Sequence, residues 1–305
     1  MSKSITVFSP SSVSNVGPGF DILGFALDGL GDKIQLKLIE EGYQIKSVGA
    51  ELPTDPDQNV ATVALKSLAE AYGYYGGFSI EIEKIFKPGS GLGSSASSAV
   101  GAVYAANELL GLGLTKKELI SFALNGEVVA SGQRHGDNIV PCMLGGFVAV
   151  KSIEPYKGFH IDTPQDLKVL VIFPDVPIKT AEARKILPVE VSLQTGIQQA
   201  ADMACLIIAL MTADYDMIKG CLEDHFGTPH RKRLIPFYDE VSEMADQAGA
   251  YGFNISGSGP AMFAFFRAED DLTALKSQIT KQYQGADIEV RFHESGINKQ
   301  GVEIL

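Results

Sequence analysis

The chain has 305 residues, a formal net charge of −12 at pH 7, 45% hydrophobic residues and 20% charged residues. This composition is typical of an ordinary globular protein with one large or two smaller cores, and it excludes the disordered and fibrous classes. The charge argues against nucleic acid as a partner, since the basic residues cluster only at 231–233.

Membrane and disulfide signals are weak. The longest uninterrupted apolar run, 203–211, is far shorter than the roughly 20 residues of a bilayer span. The N-terminus has no basic region followed by an apolar stretch, so we expect a cytoplasmic protein. Cys142, Cys205 and Cys221 are odd in number and lie among apolar residues, which predicts buried free thiols and no disulfide or zinc site.

The first half of the chain predicts a mixed α+β layer. Apolar alternation predicts strands at 5–8, 34–39, 78–85 and 145–150, and helical periodicity predicts helices over 60–72, 94–110 and 116–131. The polar segment 154–166 contains two prolines and is the predicted boundary between a domain of residues 1–155 and a domain of residues 156–305.

The second half opens with a predicted strand at 169–173 and helices at 180–186 and 192–211. A helix at 234–247, strands at 251–255 and 261–266, a helix at 272–283 and a strand at 288–292 follow. Without the early helices, the order β-α-β-β-α-β is that of a ferredoxin-like fold.

Residues 88–98, Pro-Gly-Ser-Gly-Leu-Gly-Ser-Ser-Ala-Ser-Ser, have the pattern of a polyphosphate-binding loop. The glycines at 89, 91 and 93 can adopt positive φ and have no Cβ to hold a ligand away, so backbone N–H groups can converge on phosphate oxygens. The predicted helix that follows directs its N-terminal donors and the positive end of its dipole at the same place.

Common phosphate motifs do not describe this loop. No lysine follows Gly93, which excludes a Walker A loop, and Ser94 stands where a Rossmann fingerprint needs a glycine. A Gly-x-Ser-x-Gly hydrolase elbow is excluded because Ser97 occupies the position of its last glycine. A simple capped helix that packs tightly stays open as the structural alternative.

Two further glycine- and serine-rich segments lie at 9–21 and 254–263. The three segments in this order resemble the motifs of the GHMP small-molecule kinases. Within that family, the segments 15–21, 134–138 and 229–236 are most similar to the homoserine kinases. The resemblance covers about residues 5–295 and implies an α+β GHMP kinase fold, with an N-terminal ribosomal protein S5 domain 2-like half, a C-terminal ferredoxin-like half, and the active site between them.

The resemblance implies ATP and Mg²⁺ as cofactors. Phosphoryl transfer mainly needs positioning and charge neutralisation, and Mg²⁺ prefers hydroxyl and carboxylate oxygens. By resemblance the metal ligands are Ser95 and Glu127, although Ser95 could merely cap a helix and Glu127 could be a solvated carboxylate. The implied ATP-binding residues are Asn59, Lys87, Pro88, Gly89, Ser90, Gly91, Leu92, Gly93, Ser94, Ser95, Ala96, Ser97 and Ser98.

The implied substrate is L-homoserine, a zwitterion whose site should hold a carboxylate for its ammonium group and an arginine for its carboxylate. By resemblance Asp21 and Asp137 bind the ammonium group, and Arg184 and Arg231 bind the carboxylate. The implied pocket is completed by Asn15, Asn138, His135 and Thr180. His135 could equally be structural, and Arg233 is predicted to be solvated.

The resemblance also bears on mechanism. Mevalonate kinases carry a catalytic aspartate eleven residues after the metal glutamate, and that position is Asn138 here. An amide cannot accept the substrate proton, so we predict catalysis by approximation and electrostatic stabilisation, with Asn15, Asn138 and Glu127 as the catalytic groups. Another alcohol substrate and a noncatalytic binder on this fold stay open as alternatives. We expect a homodimer.

Overall fold

The computed structural model describes residues 4–178 and 180–305, and only the backbone at 130, 131, 180 and 181. The first strands are β1 (Ser4–Ser14), β2 (Leu23–Ile39), β3 (Tyr43–Val48), β4 (Gly77–Glu83), β5 (Phe147–Ile153) and β6 (Tyr156–Ile161). The helices among them are α1 (Val60–Ala71), α2 (Ser94–Leu110), α3 (Lys116–Ser131) and α4 (Gly136–Leu144).

The remaining elements follow β6. The strands are β7 (Leu167–Pro174), β8 (Phe253–Ile255), β9 (Met262–Arg267), β10 (Val290–Ser295) and β11 (Glu303–Ile304). The helices are α5 (Thr180–Lys185), α6 (Leu193–Thr212), α7 (Tyr215–Cys221), α8 (Thr228–Arg231), α9 (Tyr238–Gln247) and α10 (Thr273–Gln284), with a 3₁₀ turn at Lys232–Leu234 after α8.

Two sheets organise the chain. The first has the order β11-β1-β2-β4-β3, with β5 paired to β2 and β6 paired to β5, and α1 to α4 contribute apolar side chains to its core. The second has the order β10-β7-β9-β8 and packs with α9 and α10. This confirms the α+β class and the ferredoxin-like order of the second half.

An aromatic cluster joins the two sheets. The ring of Phe25 from β2 stacks on Phe147 from β5 at 5.3 Å and meets Phe263 from β9 edge-on at 5.9 Å. Leu206 and Leu210 of α6 belong to the same buried cluster. Because aromatic side chains bury large apolar areas, this cluster holds together the two sheets that border the glycine-rich segments.

The element bounds of 94–110 and 116–131 are confirmed as α2 and α3. The first strand was predicted too short, because β1 continues through the serine-rich segment to Ser14. The helix predicted from 234 begins only at Tyr238, since Phe237 adopts a left-handed φ of 61°. The segment 154–166 contains β6, which the patterns did not predict, and the domain boundary at 155 stays a prediction.

Cys142 is a buried free thiol as predicted, whereas Cys205 and Cys221 are free but partly exposed. Among the described residues, α6 is long and apolar enough by composition to cross a membrane. Of its most apolar 18-residue stretch, 28% is buried within the protein. Its Gln199 donates a hydrogen bond of 2.8 Å to the Pro18 carbonyl, and its Asp202 Oδ2 lies within hydrogen-bond distance, 2.7 Å, of His225 Nε2. These bonds tie the middle of α6 to the rest of the fold.

A buried ion pair lies beneath the N-terminus of α2. Lys84 Nζ lies 2.8 Å from Asp32 Oδ2, and the two side chains are 1% and 4% exposed. Lys84 also donates to the carbonyl and hydroxyl oxygens of Ser94, and Ser98 Oγ donates to Asp32 Oδ2 at 2.9 Å. The pair therefore fixes the first turn of α2 from below.

Breaking this pair on one side should strongly destabilise the protein. Asp32→Asn leaves a buried ammonium group without its counter-charge, which typically costs about 3–5 kcal/mol. We expect a fall of that order in the free energy of unfolding in urea. The double change Asp32→Asn with Lys84→Met should recover much of the loss, and Glu81→Gln at the exposed Lys46–Glu81 pair is the control, where we expect less than about 1 kcal/mol. Equal losses in the single and double variants would contradict this account.

Candidate active site

The three glycine- and serine-rich segments meet through their backbones. Ala261 N donates to Ser90 O at 3.1 Å, Gly257 N donates to Ser14 O at 3.1 Å, and Ser12 N donates to Leu92 O at 3.2 Å. Ser256 Oγ adds a bond of 2.6 Å to Gly91 O. The segment 88–98 is therefore held between the end of β1 and the turn between β8 and β9.

The phosphate-type loop has the positive φ angles that were predicted for its glycines. Two of these glycines are also needed because a side chain there would clash with the protein itself. Gly91 and Gly93 have φ of 81° and 60°. A Cβ on Gly91 would lie 2.6 Å from Ser256 O, and a Cβ on Gly93 would lie 2.1 Å from Ser12 Oγ. A side chain at either position would therefore meet the neighbouring segments of the protein itself.

The first N–H groups of α2 have no side-chain cap, because Gly93 is the N-cap residue. Ser95 therefore does not cap the helix, which removes the structural alternative for that serine. Ser97 Oγ donates to Ser9 O at 2.7 Å, and Leu92 and Ala96 are fully buried in the core. These side chains therefore face the protein interior, and the backbone N–H groups of Leu92 and Ser97 are already bonded to Ser90 Oγ and Gly93 O.

Most of the predicted site residues surround one cleft. Its lining consists of Ser14, Asn15, Asp21, Gly89, Ser90, Gly91, Gly93, Ser94, Ser95, Glu127, His135, Asp137, Asn138, Arg184, Arg231, Gly257 and Ser258. Both arginines, both predicted ammonium-binding aspartates and both metal ligands therefore share one space. Thr180 begins α5, and its side chain lies outside the described part of the structure.

A second, more apolar cleft shares Gly89, Ser95 and Glu127 with the first. Asn59 and Pro88 line it, and Asn59 also caps α1 by accepting from Ala61 N at 3.0 Å. Lys87 lines neither of these two clefts and lies 3.9 Å from Asp175. The two clefts thus meet at the start of α2.

Ser95 and Glu127 converge as the metal prediction requires. Ser95 Oγ donates to Glu127 Oε2 at 2.9 Å, and Glu127 is buried. Burial raises the pKa of Glu127 to about 7, although His135 and Ser95 oppose the shift. A cation that approached these hard oxygen ligands would offset the cost of burying the carboxylate charge.

Asp21 and Arg184, which the resemblance places at opposite ends of the substrate, are bonded to each other. Arg184 donates from Nη1 to Oδ1 at 3.1 Å and from Nη2 to Oδ2 at 2.7 Å. Burial alone would raise the pKa of Asp21, but hydrogen bonds from His135 and Arg184 outweigh it and lower that pKa to about 2. Asp21 is therefore a carboxylate at neutral pH.

Asp137 is the unusual carboxyl group of the cleft. It is 1% exposed, its Oδ2 accepts from Asn15 N at 3.3 Å, and its buried Oδ1 has no hydrogen-bond partner among the described residues. Burial raises its pKa to about 6. Asp137, Asp21 and His135 also bring ligand atoms within 4.8 Å of one another. An unpartnered oxygen in this setting suits a substrate ammonium group.

Asn15 and Asn138 bind neighbouring segments to each other. Asn15 has a left-handed φ of 68°; its Nδ2 donates to Gly257 O at 2.8 Å and its Oδ1 accepts from Asp21 N at 3.0 Å. Asn138 Nδ2 donates to Ser14 Oγ at 3.0 Å, and its Oδ1 accepts from Ser12 Oγ at 3.1 Å. Both amides therefore hold the walls of the cleft together.

Arg231 is buried and held by two carbonyl groups. Its Nε donates to Ala183 O at 3.3 Å and its Nη1 donates to Gly257 O at 2.8 Å. Asp224 builds the turn that carries it, because its carboxylate accepts from the backbone N–H groups of Gly227 and Thr228. Burial lowers the pKa of Arg231 from its ordinary value, and nearby Asp224 acts against that shift.

Sequence reasoning missed several residues of the site. Asp224 and Gln199 position the arginine turn, and Ser14, Gly257 and Ser258 line the cleft. An aspartate shortly before a Gly-Thr-Pro sequence was a turn signal for Asp224, because an aspartate side chain can accept from the backbone N–H two residues on, here that of Phe226 at 2.9 Å. Gln199 had no such signal, because its role depends on the contact of α6 with Pro18.

Comparison with known proteins places the chain in a family. Residues 59–146 match the profile of the GHMP kinases N terminal domain, and residues 206–285 match that of the GHMP kinases C terminal domain. The chain belongs to the GHMP kinase family, a class of small-molecule kinases.

Particular members of that family resemble it over their full length. A homoserine kinase of Chloroherpeton thalassium is 38% identical, with 99% of this chain and 100% of the relative covered. The crystal structure of a homoserine kinase from Cytophaga hutchinsonii is 37% identical, has a TM-score of 0.93 and covers 99% of this chain and 97% of that chain. An L. major mevalonate kinase, at 18% identity, with 97% of this chain and 99% of that chain covered, shares the fold with a TM-score of 0.73.

Asp137 should cost stability when it is ionised. Because its pKa in the folded state is about 6, above the ordinary value of 3.8, the folded state binds more protons between these values. Stability then falls as the pH rises through this window, and the penalty is complete above it. We expect Asp137→Asn to raise the free energy of unfolding at pH 8, by an amount on the order of 1–3 kcal/mol.

Urea unfolding of both proteins across the pH range checks this. The advantage of the variant should shrink as the pH falls from 7 to 4. A variant that is less stable than the native protein at pH 8 would contradict the uncompensated burial of this carboxylate.

Proposed function

We propose that the chain is a homoserine kinase, which transfers the γ-phosphoryl group of ATP to the hydroxyl of L-homoserine and yields O-phospho-L-homoserine for threonine biosynthesis. One observation carries the proposal. The cleft at the start of α2 places two aspartates and two arginines beside a glycine-rich loop. That set suits a zwitterionic substrate next to a polyphosphate, and the full-length relatives carry the same name.

ATP would lie across the two clefts. Its triphosphate would contact the backbone N–H groups of 89–95, where the uncapped N-terminus of α2 adds positive potential. Its base would occupy the second cleft, beside Asn59 and Pro88. In a chain with a net charge of −12, such local donors are needed to hold a nucleotide.

Mg²⁺ would be held by Ser95 and Glu127. Their oxygens already lie 2.9 Å apart at the junction of the clefts, and a hydroxyl with a carboxylate is a set that suits this ion. When bound, Mg²⁺ neutralises charge on the phosphate oxygens during transfer. Glu127 then has a role that explains why a carboxylate is buried there.

The substrate would be held at both charged ends. Asp137 Oδ1 would accept from its ammonium group, with Asp21 as the second carboxylate. Arg231 would bind its carboxylate, because two carbonyls hold one side of the guanidinium while the residue lines the cleft. Arg184 would join this contact by exchanging Asp21 for the substrate.

The substrate hydroxyl would attack the γ-phosphorus without a dedicated protein base, with ADP as the leaving group and the hydroxyl proton passing to the transferred phosphoryl group. Asn138 stands where mevalonate kinases carry the catalytic aspartate, and both ends of its amide are hydrogen-bonded to serines. Asn15 and Asn138 would act by keeping the cleft walls in place. Catalysis then rests on approximation and on charge stabilisation by α2, the arginines and the metal.

A cytoplasmic homodimer would bury the exposed face of α6. Leu193, Ile197, Ile208 and Met211 are 81%, 53%, 57% and 58% exposed, and the alanines at 200, 201 and 204 between them are also exposed. These positions recur every three or four residues, so they form one stripe of small and large apolar side chains. Two such stripes can pack against each other across a two-fold axis.

Light scattering tests the dimer. We expect a mass twice the 32.6 kDa of one chain, and we expect Ile197→Glu with Ile208→Glu to halve it. Tyr75→Glu at another site, where the side chain is 91% exposed, is the control and should leave the mass unchanged. A monomeric native protein would overturn the dimer, and association with vesicles would assign the stripe to a membrane surface.

A panel of alcohols tests the activity, with ADP release as the readout and with or without Mg²⁺. We expect homoserine to be the best acceptor. Arg231→Leu leaves the substrate carboxylate without its partner, so kcat/KM for homoserine should fall by about 30-fold or more, from a loss on the order of 2–5 kcal/mol. Arg231→Lys should rescue only part of it, since a point charge does not reproduce the planar fork. Faster turnover of a sugar or of mevalonate would replace homoserine as the substrate.

A further inference from the structure

Phe20 lies next to the arginines that would bind the substrate carboxylate, yet its side chain has no charge and no hydrogen-bonding group that would explain its presence there. Its ring centroid lies 5.5 Å from the guanidinium carbon of Arg184 and 5.1 Å from that of Arg231. Both distances are within the roughly 6 Å range of cation–π attraction. One half-buried ring therefore contacts both arginines of the cleft.

The two guanidinium groups repel each other, and the bidentate contact of Asp21 with Arg184 offsets part of this repulsion. Arg184 is close enough to contribute to the lowered pKa of Arg231, after the larger effect of burial. The negative face of an aromatic ring attracts a cation without adding a charge that would compete with a carboxylate ligand. A carboxylate side chain in this position would instead neutralise the arginines.

The ring is itself held in place. Asp21, the next residue, has a left-handed φ of 56°, and its N–H donates to Asn15 Oδ1. On the other side, a Cβ on Gly227 would lie 3.2 Å from Phe20 Cε2, so the ring packs against the backbone at the start of α8. The ring thus joins the loop after β1 to the turn that carries Arg231.

We propose that Phe20 is a specificity-determining positioning residue, which holds Arg184 and Arg231 at the spacing needed to bind the substrate carboxylate. This inference rests on the proposed function. It goes beyond it by assigning the preference for a carboxylate-bearing alcohol to an uncharged ring. The ring does not touch the reacting atoms and acts only through the two arginines.

The test compares two acceptors in six proteins. Homoserine and 3-aminopropan-1-ol (aminopropanol below) have the same amine and hydroxyl groups at the same spacing, and only homoserine has a carboxylate. Phe20→Leu keeps an apolar side chain and removes the π face, so kcat/KM for homoserine should fall about tenfold, as expected for the loss of two cation–π contacts. The kcat/KM for aminopropanol should change by less than about twofold, because this substrate has no carboxylate for the arginines to bind.

Phe20→Tyr, which keeps the ring, should retain most of the activity on homoserine. Phe122→Leu is the matched control, since Phe122 is also half-buried but packs on Tyr72 at 6.1 Å in the first core. In an Arg231→Leu background, Phe20→Leu should have a smaller further effect, because the two residues act through one contact.

Failure of the role of Phe20 and failure of the proposed function would give different results. Equal losses on both acceptors in a folded Phe20→Leu protein, or full additivity with Arg231→Leu, would overturn the role of Phe20 and leave homoserine as the substrate. A native protein that does not prefer homoserine over aminopropanol would overturn the proposed function itself.

Discussion

Backbone hydrogen bonding among three separate segments is the constraint on which the site depends. The end of β1, the loop before α2 and the turn between β8 and β9 are bonded to one another at Ser12, Ser14, Ser90 and Leu92. Such bonds require close backbone approach, which glycine and serine permit. The aromatic cluster around Phe25 keeps the two sheets together, so the segments cannot separate without exposing a core. Glycine richness here therefore serves the contact between segments as well as any contact with phosphate.

The same packing around the start of α2 also buries several charged side chains. Lys84 and Asp32 hold α2 from beneath, and above it the cleft contains Glu127 and Asp137, whose pKa values burial raises to about 7 and about 6. Each buried carboxylate whose pKa is raised in this way lowers the stability of the folded state at neutral pH. Their presence is understandable if a divalent cation and a substrate ammonium group complete them. The bound ligands would then relieve the cost of burying these charges, and this relief would contribute to their affinity for the site.

The arginine side of the cleft is organised differently. Asp224 and Gln199 build the turn of α8, two carbonyls hold Arg231, and the ring of Phe20 contacts both guanidinium groups. Asp21 neutralises Arg184 through a bidentate contact. In the proposed complex, a substrate carboxylate would replace Asp21 on Arg184 and free Asp21 for an ammonium group, so that one ion pair would be replaced by two. Such an exchange lowers the cost of desolvating the site.

Local patterns in the sequence determined the bounds of α2 and α3, the phosphate-type loop, the ferredoxin-like order and the family, because periodicity and short motifs depend on neighbouring residues. They did not determine α4, β6 or the length of β1. β6 pairs with the adjacent β5 as a hairpin, whereas β1 pairs with β2 and also, at Val7 and Phe8, with β11 at the other end of the chain. Only the tertiary structure decided that Asp21 pairs with Arg184, that Ser97 and Ser98 point into the core, and that Lys84, Asp224, Gln199 and Phe20 support the site. Most of these roles arise from contacts between segments that are distant in the sequence. Burial, which raises the pKa values of Glu127 and Asp137, exists only once the chain has folded.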